Sequence, residues 1–365
     1  MIILKCPEIR FKNDDGNNYP NWEDKKLDNV FKFYKGKGIS KIELSEEGIP
    51  CIIYGELYTK YREVIGVVKS KTNIKKELLF MSEIGDILIP SSGETQKDIA
   101  TASTVMEKNV ALGGDINILR SKETINSPYV SYYLKHIKNI EISKLSQGNS
   151  VVHLYSKQLS NLKIEIPSLE EQQKIGDFFM LLDKRIEQQE QKIALLKDYK
   201  KAMMQKIFSQ KIRFKDDNGN DYPDWEEKKL GKICRVKSSQ LTNNVVEEIG
   251  KYPVYGANSI VGYTENYEVN KYVSIVKDGA GVGRIAFINN KSSVLGTLQY
   301  LIGIEITTEF LYVLLSNVNF KLYQTGTTIP HIYFKDYSKM IIDIPCQLEQ
   351  EKISSFLFAM DLNLE

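Results

Sequence analysis

The chain has 365 residues, with 49 Lys and Arg against 47 Asp and Glu, 42% apolar residues and four cysteines. That length predicts two or three domains and the composition argues against wholesale disorder, while Cys6, Cys51, Cys234 and Cys346, with no C-x-x-C pair, argue against a zinc ribbon or a disulfide scaffold and suit a reducing cytoplasm. No run of 18 apolar residues occurs and the opening MIILKCPEIRF is too short for a signal-peptide core, so no membrane association is expected.

The near-zero net charge conceals an uneven distribution. Residues 1–166 carry 24 basic and 21 acidic side chains, 167–215 carry 11 and 7, and 216–365 carry 14 and 19. A protein that grips nucleic acid by charge alone is normally far more basic. Any nucleic-acid binding must therefore use local patches or a basic partner.

Residues 9–30 read IRFKNDDGNNYPNWEDKKLDNV and return at 212–233 as IRFKDDNGNDYPDWEEKKLGKI, with 14 identities in 22 positions. Each copy opens on turn residues, Asp14-Asp15-Gly16 and Asn218-Gly219, followed by Tyr19-Pro20-x-Trp22 and Tyr222-Pro223-x-Trp225. The glutamates after these tryptophans are read as part of a solvated turn. The stretches that follow, roughly 31–146 and 234–324, share almost nothing in sequence. Both are rich in short β-like runs bounded by Gly, such as 85–90 and 272–276, and a helix is predicted near 128–137 and 308–317.

A second repeated block closes each copy. Residues 148–179 answer 326–357, matching Gly148 to Gly326, His153 to His331, Tyr155 to Tyr333, Glu171 to Glu349 and Gln172 to Gln350. Pro167-Ser168-Leu169-Glu170-Glu171 reads as a capping box, Ser168 accepting from the Glu171 N–H and the Glu171 carboxylate answering. From there Ile175, Phe179, Leu182, Ile186, Gln189, Ile193, Leu196, Lys200, Met203 and Ile207 alternate steps of four and three. This heptad seam runs over about 40 residues, or about 60 Å at 1.5 Å per residue. One apolar stripe requires a facing helix, and the second copy's helix near Gln347 is the natural partner. Antiparallel pairing would relate the modules by a pseudo-twofold axis. The second helix is expected to be short, because the chain ends at Glu365.

The predicted fold class is α+β. Two tandem, mixed and β-rich modules (1–166 and 211–345) are joined by a long coiled-coil-type helix (167–210), and a shortened second helix (346–365) follows.

This order, with W-E-x-K-K-L openings and I-P-x-x-x-E-Q-x-K-I helix starts around two dissimilar middles, resembles the specificity (S) subunit of a type I restriction-modification system. The resemblance implies two target recognition domains, each reading half of a bipartite double-stranded DNA sequence. It implies helices that set the spacer and dock methyltransferase (M) subunits, and a motor-nuclease (R) subunit that joins them. No cofactor is expected on this chain; S-adenosylmethionine, ATP and Mg²⁺ would belong to the partners. In agreement, the sequence has no N-P-P-Y or D-P-P-Y segment, no F-x-G-x-G and no phosphate-binding G-x-x-x-x-G-K-[ST] loop. The competing reading is a duplicated, non-catalytic scaffold that recruits partners through its coiled coil.

Candidate DNA contacts follow from residue chemistry. Lys277-Asp278-Gly279-Ala280-Gly281-Val282-Gly283-Arg284 lies between strand-like runs and is read as a tight β connection from which Lys277 and Arg284 can reach phosphate or guanine edges. Ser91, Ser92 and Thr95 form its possible counterpart in copy one. Gln147, Asn149 and Ser150, with Thr325, Thr327 and Thr328, offer small donors and acceptors beside His153 and His331. The bland reading of both histidines is a satisfied structural role; neither has neighbours suited to a metal. Ile175, Phe179, Leu182, Ile186, Ile193, Leu196, Met203 and Ile207 are the candidates for helix pairing and partner docking.

Overall fold

The structure is a computed structural model that describes residues 9–148 and 151–362. It comprises two compact units, Met1–Gln189 and Glu190–Glu365. Each mixes helix and sheet.

In each unit the two repeated blocks meet. Strand Glu23–Lys26 pairs antiparallel with Lys163–Ile166, Glu23 opposite Ile166 and Lys26 opposite Lys163. Glu226–Lys229 pairs with Ile341–Ile344 in the same register, Glu226 opposite Ile344 and Lys229 opposite Ile341. The stretch after each tryptophan is therefore a strand, which corrects the turn expected from sequence. Glu-Asp-Lys-Lys and Glu-Glu-Lys-Lys have no apolar alternation to announce a strand, and the partner lies at the far end of the module. This ribbon closes the module, with the dissimilar middle inserted between its two strands.

The middles share a topology despite their different sequences. In the first unit, Phe31–Lys35, Ile116–Ser121, Asp86–Pro90, Ser103–Val105 and Val64–Ile65 lie side by side in that order. In the second, the order is Cys234–Ser238, Leu298–Gly303, Tyr272–Val276 and Ile285–Ile288. Asp86–Pro90 and Tyr272–Val276 occupy equivalent interior positions and are buried along their length. Apart from Asp86, which Arg120 pairs, and Ser274, they read as apolar runs because both faces are covered. A second sheet follows in each unit, with one parallel pair, Ile49–Ile52 with Ala111–Leu112 or Tyr252–Tyr255 with Ser293–Val294. The longer first middle adds Leu44–Ser45, Val64–Ile65 and Phe80–Met81.

The helices Ser127–His136 and Thr308–Ser316 lie where the sequence predicts them. Asn126 and Thr307 cap them by accepting from the backbone N–H of Tyr129 and Phe310. Tyr129, Val130 and Leu134 in one, and Phe310, Leu311 and Leu315 in the other, are buried in the unit's core. Each such side chain contributes about 1.5–3 kcal/mol by leaving water.

The long helix is continuous over 40 residues, Leu169–Phe208. Its counterpart, Gln347–Leu362, has 16. The seam on the long helix is covered unevenly. Ile207 is fully buried in one cluster with Ile353 and Leu357, and Ile193, Leu196 and Met203 are half-buried. Phe179, Leu182 and Ile186 are exposed.

Candidate nucleic-acid interface and its supporting joint

The residues repeated between the modules build one joint twice. Glu171 and Glu349 are fully buried at the start of their helices. Arg10 donates from Nε to Glu171 Oε1 at 2.9 Å and from Nη2 to Oε2 at 2.6 Å, and Trp22 Nε1 donates to Oε2 at 3.2 Å. Arg213 reaches Glu349 at 3.3 and 2.8 Å, and Trp225 Nε1 at 3.0 Å. The hydrogen bond to Glu349 pushes the Arg213 guanidinium up from its ordinary value. Such two-pronged, charge-assisted contacts fix orientation as well as supplying energy.

The same duplication extends outward. Gln172 Nε2 donates to Pro167 O and its Oε1 accepts from Asn126 N, while Gln350 bridges Pro345 O and Thr307 N. Lys174 Nζ lies 2.7 Å from Asp14 Oδ1, and Lys352 Nζ 2.7 Å from Asp217 Oδ1. Phe11 meets Phe178 edge-on at 5.6 Å, and Phe214 meets Phe356 at 5.5 Å. The repeated motifs thus lock the opening segment, the ribbon and the short helix of each module to a helix start.

This geometry corrects half of the expected capping box. Ser168 Oγ does accept from Glu171 N, at 3.4 Å. The Glu171 carboxylate does not return to the cap, because Arg10 and Trp22 take both of its oxygens.

The candidate DNA residues gather at the ends of the equivalent interior strands. Ser91 and Ser92 follow Asp86–Pro90, and Lys277 and Asp278 follow Tyr272–Val276. The duplicated histidines dock there. His153 Nδ1 lies 3.1 Å from Ser92 Oγ, and His331 Nδ1 lies 2.7 Å from Asp278 Oδ1. Each imidazole also stacks on a repeated tyrosine, His153 on Tyr155 at 6.3 Å and His331 on Tyr333 at 6.4 Å. Backbone bridges Gln147–His153 and Thr325–His331 close the preceding loops. Both loops need glycine. Gly148 and Gly326 have φ of 117° and 86°, and an added Cβ would fall 2.1 Å from Val151 O or 2.4 Å from Ile329 O.

Exposure sorts the candidates. Gln147, His153, Arg284, Thr325, Thr327 and Thr328 are exposed, and Lys277 and His331 are half-buried. Ser91 and Ser92 are buried, the Ser91 hydroxyl without a hydrogen-bond partner among the described residues. Thr95 caps the short helix Gln96–Ile99 and accepts from Asp98 N. Arg284 donates to Asn258 Oδ1, and Lys277 Nζ lies 3.6 Å from Asp278 Oδ2. Asn149 and Ser150 lie outside the described residues. The loop Lys277–Arg284 joins the antiparallel pair Tyr272–Val276 and Ile285–Ile288, as expected. Sequence reasoning passed over the exposed lysines Lys69, Lys71, Lys75 and Lys76 at the first unit's second sheet. Their density within eight residues is the signal that could have found them.

Among the described residues, no group of three or more His, Cys, Asp and Glu is placed to hold a metal ion. No described helix is long and apolar enough to cross a membrane.

The family model for the type I restriction modification DNA specificity domain matches residues 19–198 and 222–365. The chain belongs to that family. The type I restriction enzyme MjaVIII specificity subunit of Methanocaldococcus jannaschii is 25% identical, the match covering 100% of this chain and 92% of that protein. A putative type I specificity subunit of Mycoplasma genitalium is also 25% identical, over 74% of this chain and 68% of that one. The fold resembles the crystal structure of a type I restriction-modification S subunit from M. genitalium, with a TM-score of 0.69 at 20% identity, covering 98% of this chain and 93% of that one. It also resembles a chain from a structural study of complex assembly in the type I system, with a TM-score of 0.52 at 16% identity, covering 95% and 92%. The relatives are named as specificity subunits, and the family's role is DNA recognition within an assembly, without chemistry of its own.

Proposed function

We propose that this specificity subunit reads a bipartite duplex target. Residues 1–166 recognise one half and residues 211–345 the other, while the segments 167–210 and 346–365 fix the spacing between halves. The same helices dock methyltransferase subunits, which a motor-nuclease subunit then joins. S-adenosylmethionine, ATP and Mg²⁺ act in those partners, and the complex works in the cytoplasm.

One observation carries this reading. Two modules with the same joint, down to the Trp–Glu–Arg contacts, hold middles of shared topology and unrelated surface sequence. A constant support under an interchangeable face suits selection for changing recognition on fixed docking surfaces. The uneven charge agrees with it: affinity must come in part from other subunits.

Within each module the contacts are placed at the interior-strand ends. Lys277 and Arg284 are assigned to base edges or phosphates of one half-site, with Thr325, Thr327, Thr328 and His331 as accompanying polar contacts. In the other module Gln147, Asn149, Ser150 and His153 take the equivalent role, and Lys69, Lys71, Lys75 and Lys76 contribute phosphate contacts. Ser92 positions His153 rather than touching DNA.

The test is reconstitution with the cognate methyltransferase, followed by mobility shift on duplex libraries. Retention of two short sequences separated by a fixed gap supports the proposal. Sequence-independent binding, or none, would overturn it.

A further inference from the structure

In the second unit a hairpin of the second sheet reaches the loop that follows the interior strand. Tyr252–Tyr255 and Ile260–Thr264 pair antiparallel around a turn in which Gly256 N donates to Ser259 O at 2.9 Å. At that turn Asn258 Oδ1 accepts from Arg284 Nη1. The Arg284 backbone is pinned as well: its carbonyl accepts from Val276 N at 2.9 Å and its N–H donates to Gly281 O at 3.0 Å. The guanidinium lies against Gly281, where an added Cβ would fall 2.6 Å from Nη2 and 3.0 Å from Nε. The loop is tied in turn to the threonine loop, Gly279 N donating to Pro330 O and Ile332 N to Lys277 O, both at 2.9 Å. An exposed arginine is thereby ordered before any ligand arrives, which removes part of the entropy cost of binding.

The donors of this pair select among base edges. A guanidinium carries N–H donors in a fixed fork and no acceptor. Asn258 engages its Oδ1 with Arg284, so it adds the Nδ2 donor and withholds the acceptor that an adenine edge requires. In the major groove only guanine sets two acceptors, O6 and N7, side by side. Adenine pairs N7 with a donor, thymine pairs O4 with a methyl group, and cytosine offers a donor. The surroundings separate a base edge from a phosphate. Residues 252–264 and 279–283 carry no charged side chain, and residues 257–261 are all exposed. A surface that tracks phosphates gathers several cations, as Lys69, Lys71, Lys75 and Lys76 do in the first unit. There the equivalent connection, between Ile49–Ile52 and Ser70–Thr72, runs over residues 53–69 and includes the helix Glu56–Thr59. The arginine-bearing turn therefore belongs to one half-site.

We infer that Arg284 reads a guanine in the half-site bound by residues 211–345, donating to its O6 and N7 in the major groove. Asn258 is a positioning residue that holds the fork, and Gly281 leaves room for it. The inference rests on the proposal that this module reads half of a duplex target, and it names one base of that half.

The experiment uses the full chain reconstituted with its methyltransferase. Site selection on a duplex library should return a guanine in one half-site. Arg284→Ala should lower the preference for that guanine by at least about tenfold and leave the other half-site unchanged. Replacing the guanine by 7-deazaguanine, which lacks the N7 acceptor, should weaken wild-type binding and leave Arg284→Ala binding as it was. Hypoxanthine, which keeps O6 and N7, should bind as guanine does. Asn258→Ala and Gly281→Ala retain the arginine but release or displace its fork. Both should reduce the guanine preference more than binding to unrelated duplex, a split that a general loss of structure does not produce. Arg284 and Asn258 are exposed, so thermal melting should show folded variants. A half-site whose selection is indifferent to Arg284 overturns the inference and leaves the recognition reading standing. So does a loss uniform across sequences with the salt slope lowered by about one, the mark of a phosphate contact. A wild-type complex that selects no bipartite sequence overturns the recognition reading itself, and the inference falls with it.

Discussion

Arg10 closes on Glu171 across 161 positions of sequence, and both carboxylate oxygens of that fully buried side chain receive its guanidinium. Arg213 and Glu349 repeat the contact across 136 positions. In both copies the arginine comes from the opening block and the glutamate from the closing one. The pair therefore ties a module's first residues to the helix that carries it.

Removing one partner leaves a buried charge uncompensated. Arg10→Ala and Arg213→Ala should each destabilise their unit by about 3–5 kcal/mol. Lysine should rescue poorly, since a point cation cannot supply the two-pronged contact together with the bond to Pro20 O or Pro223 O. Denaturant melts of the full chain check this; a loss under about 1 kcal/mol would show that the pair behaves as a surface contact.

Glu63 sets an acid limit on the first unit. Burial raises its carboxyl, but Lys135 and His136 outweigh burial, and the net position lies below the ordinary glutamate value of 4.5. A depressed folded-state value means that its stabilisation is present above pH 4.5 and is lost as pH falls through the folded value. Glu63→Gln should flatten the decline in stability between about pH 5 and pH 3. An unchanged acid limb in that variant would remove Glu63 from the account.

Cysteine reactivity should divide by environment. Burial pushes the Cys234 thiol up to about 12, and burial beside Glu56 pushes Cys51 up to about 11. Both should resist iodoacetamide at pH 8 in the folded protein, because the thiolate is the nucleophile. Half-buried Cys346 should be alkylated. Peptide mapping after brief labelling reads the difference, and rapid modification of Cys234 would contradict its burial.

Substitutions at the interior-strand ends should affect one half-site at a time. Arg284→Ala or Lys277→Ala should relax the sequence preference of one half by about 1–3 kcal/mol if the side chain reads a base edge. A phosphate contact would instead weaken binding uniformly and lower the salt slope by about one. Changed preference in both halves would contradict a division of reading between modules.

The repeat, the helix starts after Pro167 and Pro345, the short helices near 128 and 308, and the β connection before Arg284 were all legible in the sequence. Each depends on local periodicity or on comparing one half of the chain with the other. What stayed hidden depends on distant pairing. Glu171 has the spacing of a cap residue, yet its partners Arg10 and Trp22 sit about 150 positions away. The Glu23–Lys26 strand is charged throughout and exists because Lys163–Ile166 lies beside it. The common topology of the middles is invisible for a similar reason, since burial asks only for apolar side chains and many sequences provide them. The burial of Ser91 and Ser92 is hidden as well, because small polar residues stand equally in loops and in interiors.

The central claim is that one support carries two independent readers. Replacing residues 234–324 with the middle of another specificity subunit, reconstituting with methyltransferase and sequencing the modified DNA tests it most directly. The expected result is a changed second half-site with the first half-site and the spacer retained. Methylation in which both halves change together, or in which the exchange leaves the target unaltered, would contradict the account.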